Sequence, residues 1–446
     1  MSTPESHSPS PAPAEAPVSG VPAVAFERLL IRGGQPLRGR VASSGSKNAA
    51  LYTLAASLLA PEPVTVRNLP AIADIGQMLG LLGDLGARVE QVGDTARVDA
   101  SALSETVAPT SRATALRASF LVMGPLLARL GEAACAPPGG DVIGVRPLDV
   151  HLAGFRALGA TVAREGGAWV ARTGAGGLRG TRVFLDYPSV LGTVNVLFAA
   201  TRARGTTVIV NAAAEPEVAM VAEMLLSMGA RIRGHGSQIV EVEGVERLHG
   251  TDFTVIPDRI EAGTFLLAAA ATGGAVGVEG VVPAHMDGVL TKLAEAGARL
   301  EGTETSVSVD SAGGLEAVQL QAVPYPGFPT DLHAPIAAAL TQAAGVSIIH
   351  ERVFDNRLLY VGELRAMGAR LTTGGQSVII EGPTRLSGTP VRALDVRAGA
   401  AVVIAALAAE GETEVRGLEH IDRGYQHLVD RLSALGASIE RVGAAA

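Results

Sequence analysis

The chain has 446 residues, 48% of them hydrophobic and 3% aromatic, with 54 glycines and 25 prolines. That composition suits a large globular protein with many tight turns. A net charge of −8 disfavours a nucleic-acid partner, which calls for a basic face. It leaves room for a small anionic substrate held by a few cations focused in one cleft. Cys135 is the only cysteine, which excludes an intrachain disulfide framework, and the nine histidines show no metal-ligand spacing such as HExxH.

In chain order, residues 1–24 are rich in Ser, Pro and Ala, without a basic start or an apolar stretch. They are expected to form a disordered tail rather than a signal peptide. No apolar run reaches the roughly 20 residues that span a bilayer; AAVVIAALAA at Ala400–Ala409 suits a buried helix. The expectation is a cytoplasmic protein with no membrane association.

A repeated unit follows. An apolar residue and then Gly-Ala close an amphipathic helix at Gly86, Gly159, Gly229, Gly297, Gly368 and Gly436, about 70 residues apart each time. Glycine belongs there because a left-handed residue commonly ends a helix. A strand such as GTTVIVNAA precedes each amphipathic helix, and a uniformly apolar helix such as VNVLFAATRA precedes that strand. Helices apolar on all sides must be enclosed, so the pattern predicts an α/β fold with helices inside and sheets outside.

The last unit stops early, at GASIERVGAAA, and the N-terminal FERLLIRGGQPLRGRVASSG resembles its missing strands. The expected division is therefore three units over 47–256 and three more over 257–446 completed by 25–46. The crossings lie near SSGSKNAA and VIPDRIEAG, with a cleft between two lobes.

SGSKNAALYTLAASLLA places Lys47 and Asn48 at the start of an apolar helix, where free amides and the dipole favour an anion. A capped helix with a solvated lysine fits the same residues, and the spacing is not that of a Walker A loop. Arg117, Asp141, Arg146, Asp149 and His151 then gather between LRASFLVMGPLLARL and PPGGDVIGVRPLDVH. Pro147 suits a first helical position, which would put Arg146 at a helix mouth.

Taken together, SGSKNAAL, PGG-x-x-IG-x-RP-x-D-x-H, NAA-x-EPE, PDRIE-x-GTF, FPTD, VF-x-NR and HIDRGY occur in order after the tail. They resemble the UDP-N-acetylglucosamine enolpyruvyl transferases. The resemblance implies a two-domain inside-out α/β barrel of six repeated units. It also implies transfer of enolpyruvyl from phosphoenolpyruvate to the 3′-hydroxyl of UDP-N-acetylglucosamine, the first committed step of peptidoglycan synthesis. No metal or organic cofactor and no obligatory protein partner is implied.

Carried over by motif, Lys47, Arg146 and Arg423 are expected around phosphoenolpyruvate. Asn48, Arg117 and the run Arg146, Pro147, Leu148, Asp149 and Val150 are expected on the sugar nucleotide. Tyr187, Pro188, Ser189 and Val190 are expected to grip the uracil. Asp331 matches a carboxylate near the sugar 3′-hydroxyl, a candidate base. Val353, Arg357, Asp395 and Arg397 are expected to face the same cleft.

Asp141 stands where many members carry cysteine, and Cys135 lies in the preceding strand, where it reads as a small buried hydrophobe. Asp141 is the candidate proton donor to C3 of phosphoenolpyruvate. In the free site the neighbouring cations stabilise its carboxylate. Two bound anions and loss of water would reverse that balance. A carboxylate is a poor nucleophile toward the epoxide fosfomycin, so resistance is expected. Ala73, where members often have Lys, and SVLGTVN for the usual SVGATEN are further departures. The alternatives are 3-phosphoshikimate enolpyruvyl transfer and a non-catalytic sugar-nucleotide-binding paralogue.

Overall fold

A computed structural model of the chain describes residues 27–141, 143–144 and 147–443. The expectations for the tail at 1–24 and for Arg146 lie outside them. Six inner helices are buried along most of their length: Lys47–Ala56, Met123–Leu130, Val190–Ala200, Arg259–Ala271, His333–Leu340 and Val396–Ala408. Six amphipathic helices alternate with them: Ala73–Asp84, Asp149–Ala157, Pro216–Ser227, Asp287–Glu295, Tyr360–Ala366 and Leu428–Ala434. The six glycines that end these helices all have φ between 86° and 99°, where a Cβ would clash with the chain.

The strands form six sheets among the described residues, and each unit hands its closing strand to the next. Arg182–Phe184 pairs in parallel with Thr206–Val210, Val391–Arg392 with Glu412–Arg416, and Asp252–Thr254 returns to Val64–Arg67. That last pairing closes the first three units into a ring. The N-terminal strands divide between two sheets. Arg28–Arg32 lies antiparallel between Glu412–Arg416 and Ser438–Val442 and completes the last unit, as expected. Arg38–Ala42 does not; it pairs in parallel with Ala275–Glu279 of the fourth unit. It fills the place of a closing strand handed on by the preceding unit, and so closes the second ring.

Each ring has its own hydrophobic core. One runs from Ala49 to Val255; the other joins Leu29–Val41 to Ile260–Leu435. The two chain crossings pair with each other. Gly45 bridges Pro257, the Ser46 amide donates to Ile256 and the Asp258 amide to Ser44, both at 2.8 Å. Asp258 caps helix Arg259–Ala271 through Oδ1, which accepts from the amides of Ile260 and Glu261, while its Oδ2 accepts from the Lys47 amide at 2.9 Å. One carboxylate thus fixes the start of an inner helix in each ring. No helix among the described residues is long and apolar enough to cross a membrane.

Candidate active site

The inner helices position the site. Helix starts are signalled by Ser46, Ser189, Asp258 and Asp395, whose side-chain oxygens accept from amides of the first turn. The residues with charge or reach sit at or just before these starts: Lys47 and Asn48, Arg117 on the turn Arg117–Val122, Ser189 and Val190, Arg259, Asp331 on the turn Thr330–Leu332, and Arg397. Each of the six units contributes to the set.

One cluster joins the rings. Lys47 Nζ lies 2.8 Å from Asp74 Oδ2, and both side chains are buried. Arg423 Nε donates to Asp74 Oδ1 at 2.8 Å, and its NH1 donates to Asp141 Oδ1 at 3.1 Å. Burial pushes the Asp74 carboxyl up, but Lys47 and Arg423 outweigh it and hold it below the usual carboxylate range. Burial lowers the proton affinity of the Lys47 ammonium, Asp74 raises it, Arg397 lowers it again, and the net is down. Two cations thus share one buried carboxylate beside Asp141, and the charges of Lys47 and Arg423 are matched by those of Asp74 and Asp141. Asp141's loop also reaches the second ring, where the Asn356 amide donates to Ile143 at 3.3 Å.

A second cluster surrounds Asp331. Arg357 NH2 donates to its Oδ1 at 2.8 Å and Arg397 NH2 to its Oδ2 at 3.1 Å. Burial would raise the Asp331 carboxyl, yet Arg397 and Arg357 hold it well below its usual range. It is therefore ionised and able to accept a proton, though a weaker base than a free aspartate. Arg397 NH1 also donates to Tyr425 Oη at 3.2 Å, with the guanidinium 5.5 Å from that ring's centre.

The remaining expectations divide. Tyr187 is partly exposed, and its hydroxyl donates to Asp149 Oδ1 at 3.4 Å, joining the expected uracil segment to RPLDV. Pro188, Ser189 and Val190 follow it into helix Val190–Ala200, and Val150 is buried beneath. Val353 is exposed on the turn leading to Arg357. Pro147 is not the first helical residue, because the helix begins at Asp149 with Leu148 in the flanking non-helical conformation. Asp395 is buried as a helix cap, its Oδ1 accepting from the amides of Arg397 and Ala398, which fixes the start of the helix that bears Arg397. His151 is buried against Asn195, with its Nδ1 3.0 Å from Nδ2. Burial, aided by Arg117, pushes its pKa down to about 3, so it is a neutral packing residue. Burial pushes the Cys135 thiol up to about 12, which makes it inert.

Sequence reasoning missed Asp74. An acidic residue in the first turn of an amphipathic helix has an ordinary explanation in the helix dipole, and only the fold brings Lys47 and Arg423 to it. It also assigned no role to Glu217 and Arg259, which lie inside quoted motifs and form a buried pair at 2.9 Å.

Two rings of α/β units that gather basic residues at inner-helix starts define an enzyme of the enolpyruvyl transferase class. The chain belongs to the family described as EPSP synthase (3-phosphoshikimate 1-carboxyvinyltransferase), whose model matches residues 31–432. Among curated relatives, the UDP-N-acetylglucosamine 1-carboxyvinyltransferase of Magnetococcus marinus is 45% identical over 422 residues, covering 94% of this chain and 100% of that one. UDP-N-acetylglucosamine 1-carboxyvinyltransferase 2 of Listeria monocytogenes is 44% identical over 419 residues, covering 94% and 99%. Among solved structures, the enolpyruvyl transferase NikO from Streptomyces tendae matches with a TM-score of 0.84 at 26% identity, covering 94% of this chain and all of that one. EPSP synthase from Acinetobacter baumannii shares the fold, with a TM-score of 0.71 at 19% identity.

Proposed function

We propose that this protein transfers enolpyruvyl from phosphoenolpyruvate to the 3′-hydroxyl of UDP-N-acetylglucosamine and releases phosphate. The observation that carries the reading is the hydrogen-bonded chain Lys47–Asp74–Arg423–Asp141. It sets a carboxyl group against two cations suited to the donor's phosphate and carboxylate. Identities of about 45% with relatives named for the sugar nucleotide, against 19% with the solved EPSP synthase, favour that acceptor over shikimate 3-phosphate.

In this reading the division is 47–256 for one lobe and 25–46 plus 257–446 for the other, with substrates between them. Lys47, Arg423 and Arg146 hold the donor. Asn48, Arg117, Pro147, Leu148, Asp149 and Val150 line the sugar-nucleotide side, with the uracil at Tyr187, Pro188, Ser189 and Val190, and Val353 near the sugar. Asp331, held by Arg357 and Arg397, takes the proton of the 3′-hydroxyl as its oxygen bonds to C2 of phosphoenolpyruvate, while Asp141 gives a proton to C3. The tetrahedral adduct then loses a proton from C3 and phosphate from C2, which restores the double bond. The cations stabilise charge developing on the donor.

Two negative charges arriving beside Lys47 and Arg423 compete with the carboxylate of Asp141 for the same cations, and exclusion of water disfavours a third anion there. Binding of the donor thereby loads the acid. The cellular role that follows is the entry to peptidoglycan synthesis, in the cytoplasm. Phosphate release from phosphoenolpyruvate, measured with and without UDP-N-acetylglucosamine, tests the reading. Dependence on the sugar nucleotide supports it. Release with shikimate 3-phosphate instead assigns the other branch, and release with neither leaves a binding paralogue.

A further inference from the structure

We propose that Glu351 is a positioning residue for the sugar-nucleotide side of this site, fastening the turn that bears Asp331 to the turn that bears Val353 and Arg357. The inference rests on the proposed function above.

Glu351 ends the strand Ala343–Glu351 and is fully buried. Its Oε2 accepts from Thr330 Oγ1 at 2.9 Å and lies 2.8 Å from His333 Nδ1. Those two residues flank Asp331 in sequence. Its Oε1 accepts from the amides of Val353 at 2.8 Å and Phe354 at 3.2 Å, on the turn that delivers Arg357. Beyond it the two turns meet again, where Arg357 donates to Asp331. An ionised carboxylate has about four acceptor sites, and these four contacts use them.

The state of the cluster follows from its bonds. Burial would raise the Glu351 carboxyl, but His333, the Val353 amide and Thr330 keep it below its usual range. An ionised carboxylate only accepts, so His333 donates through Nδ1. Its Nε2 is then a bare acceptor, buried with no hydrogen-bond partner among the described residues, which fits the neutral ring that burial favours. Tyr360 packs edge-on against that ring at 5.7 Å between centres. None of these groups needs to touch substrate; together they set where Asp331, Val353 and Arg357 stand.

The donor side is anchored separately, because Lys47 and Arg423 are paired through Asp74. Loosening Glu351 should therefore damage one substrate's site and spare the other's. Glu351→Gln keeps the shape but puts an NH2 where two of the donors must bond. A misplacement of about 1 Å can cost on the order of 100-fold in rate. The expected result is a loss of about 10- to 100-fold in kcat/KM for UDP-N-acetylglucosamine, with KM for phosphoenolpyruvate within about twofold of the parent.

A merely structural role would lower the amount of folded enzyme and leave both constants of the folded fraction unchanged, which would overturn the proposal. A comparable rise in KM for phosphoenolpyruvate would overturn it too. Should Glu351→Gln not fold, Thr330→Val removes a single bond beside Asp331, and the same split, smaller in size, is expected; unchanged sugar-nucleotide kinetics in that variant count against the proposal. If the parent itself shows no turnover, the functional reading fails. Calorimetric binding of UDP-N-acetylglucosamine to parent and variant then decides the inference separately, with weakened binding expected and equal binding overturning it.

Discussion

Asp141 receives a hydrogen bond from Arg423, which also holds Asp74, so its charge is matched until another anion enters. Asp141→Asn keeps the size and hydrogen-bonding reach of the side chain but has no proton to give. Its kcat should fall by about 10²- to 10⁴-fold, the range for loss of a general acid, with the donor still bound. Normal turnover in that variant would remove Asp141 from the chemistry. Asp141→Cys places a thiol beside the same cations, which favour the thiolate. That variant is expected to stay active and to lose activity progressively with fosfomycin, while the parent loses none. Asp141 stood out as a candidate in the sequence because it lies within a motif, on a loop that also carries three glycines and Arg146. Asp74 was not, because its two partners lie on other elements, one of them 349 positions away.

At the scale of elements, the inner helices were legible because their apolar runs have no polar face and four of the six starts carry Ser or Asp. Asp395, expected at the cleft from its motif, sits at such a start. An Asp before an apolar helix in a functional motif is equally a ligand or a cap, and here Oδ1 is committed to the first turn. Asp258 extends the capping role across the two crossings. Asp258→Ala removes two cap bonds and the acceptor for the Lys47 amide. It should cost about 2 kcal/mol, the upper end for a cap, read as a lower midpoint in urea unfolding. A midpoint equal to the parent's would mean that water or the neighbouring Glu261, which already holds the amide and hydroxyl of Ser44, replaces it.

Across the whole molecule, the number of units was readable from the recurring glycines, whereas the closure of each ring was not. Closing strands of two or three residues, such as Val391–Arg392 and Asp252–Thr254, are too short to show a period of two. Arg38–Ala42 goes to the fourth unit for reasons of topology that no local pattern carries. The folded whole also has a definite response to acid. Asp74 and Asp331 are both held below their usual range by buried cations, so the unfolded chain binds these protons more readily than the native one. Stability from both is complete above the unfolded value of about 3.9 and is lost as pH falls through the lower native values. Urea midpoints should be insensitive to these groups near neutrality and drop below about pH 4. Asp331→Asn should lose about 3–5 kcal/mol at neutral pH, since it removes the carboxylate that Arg357 and Arg397 share. Having already forfeited that contribution, it should fall less steeply in acid than the parent. Parallel pH profiles for parent and variant would mean that Asp331 is not held ionised by its two arginines.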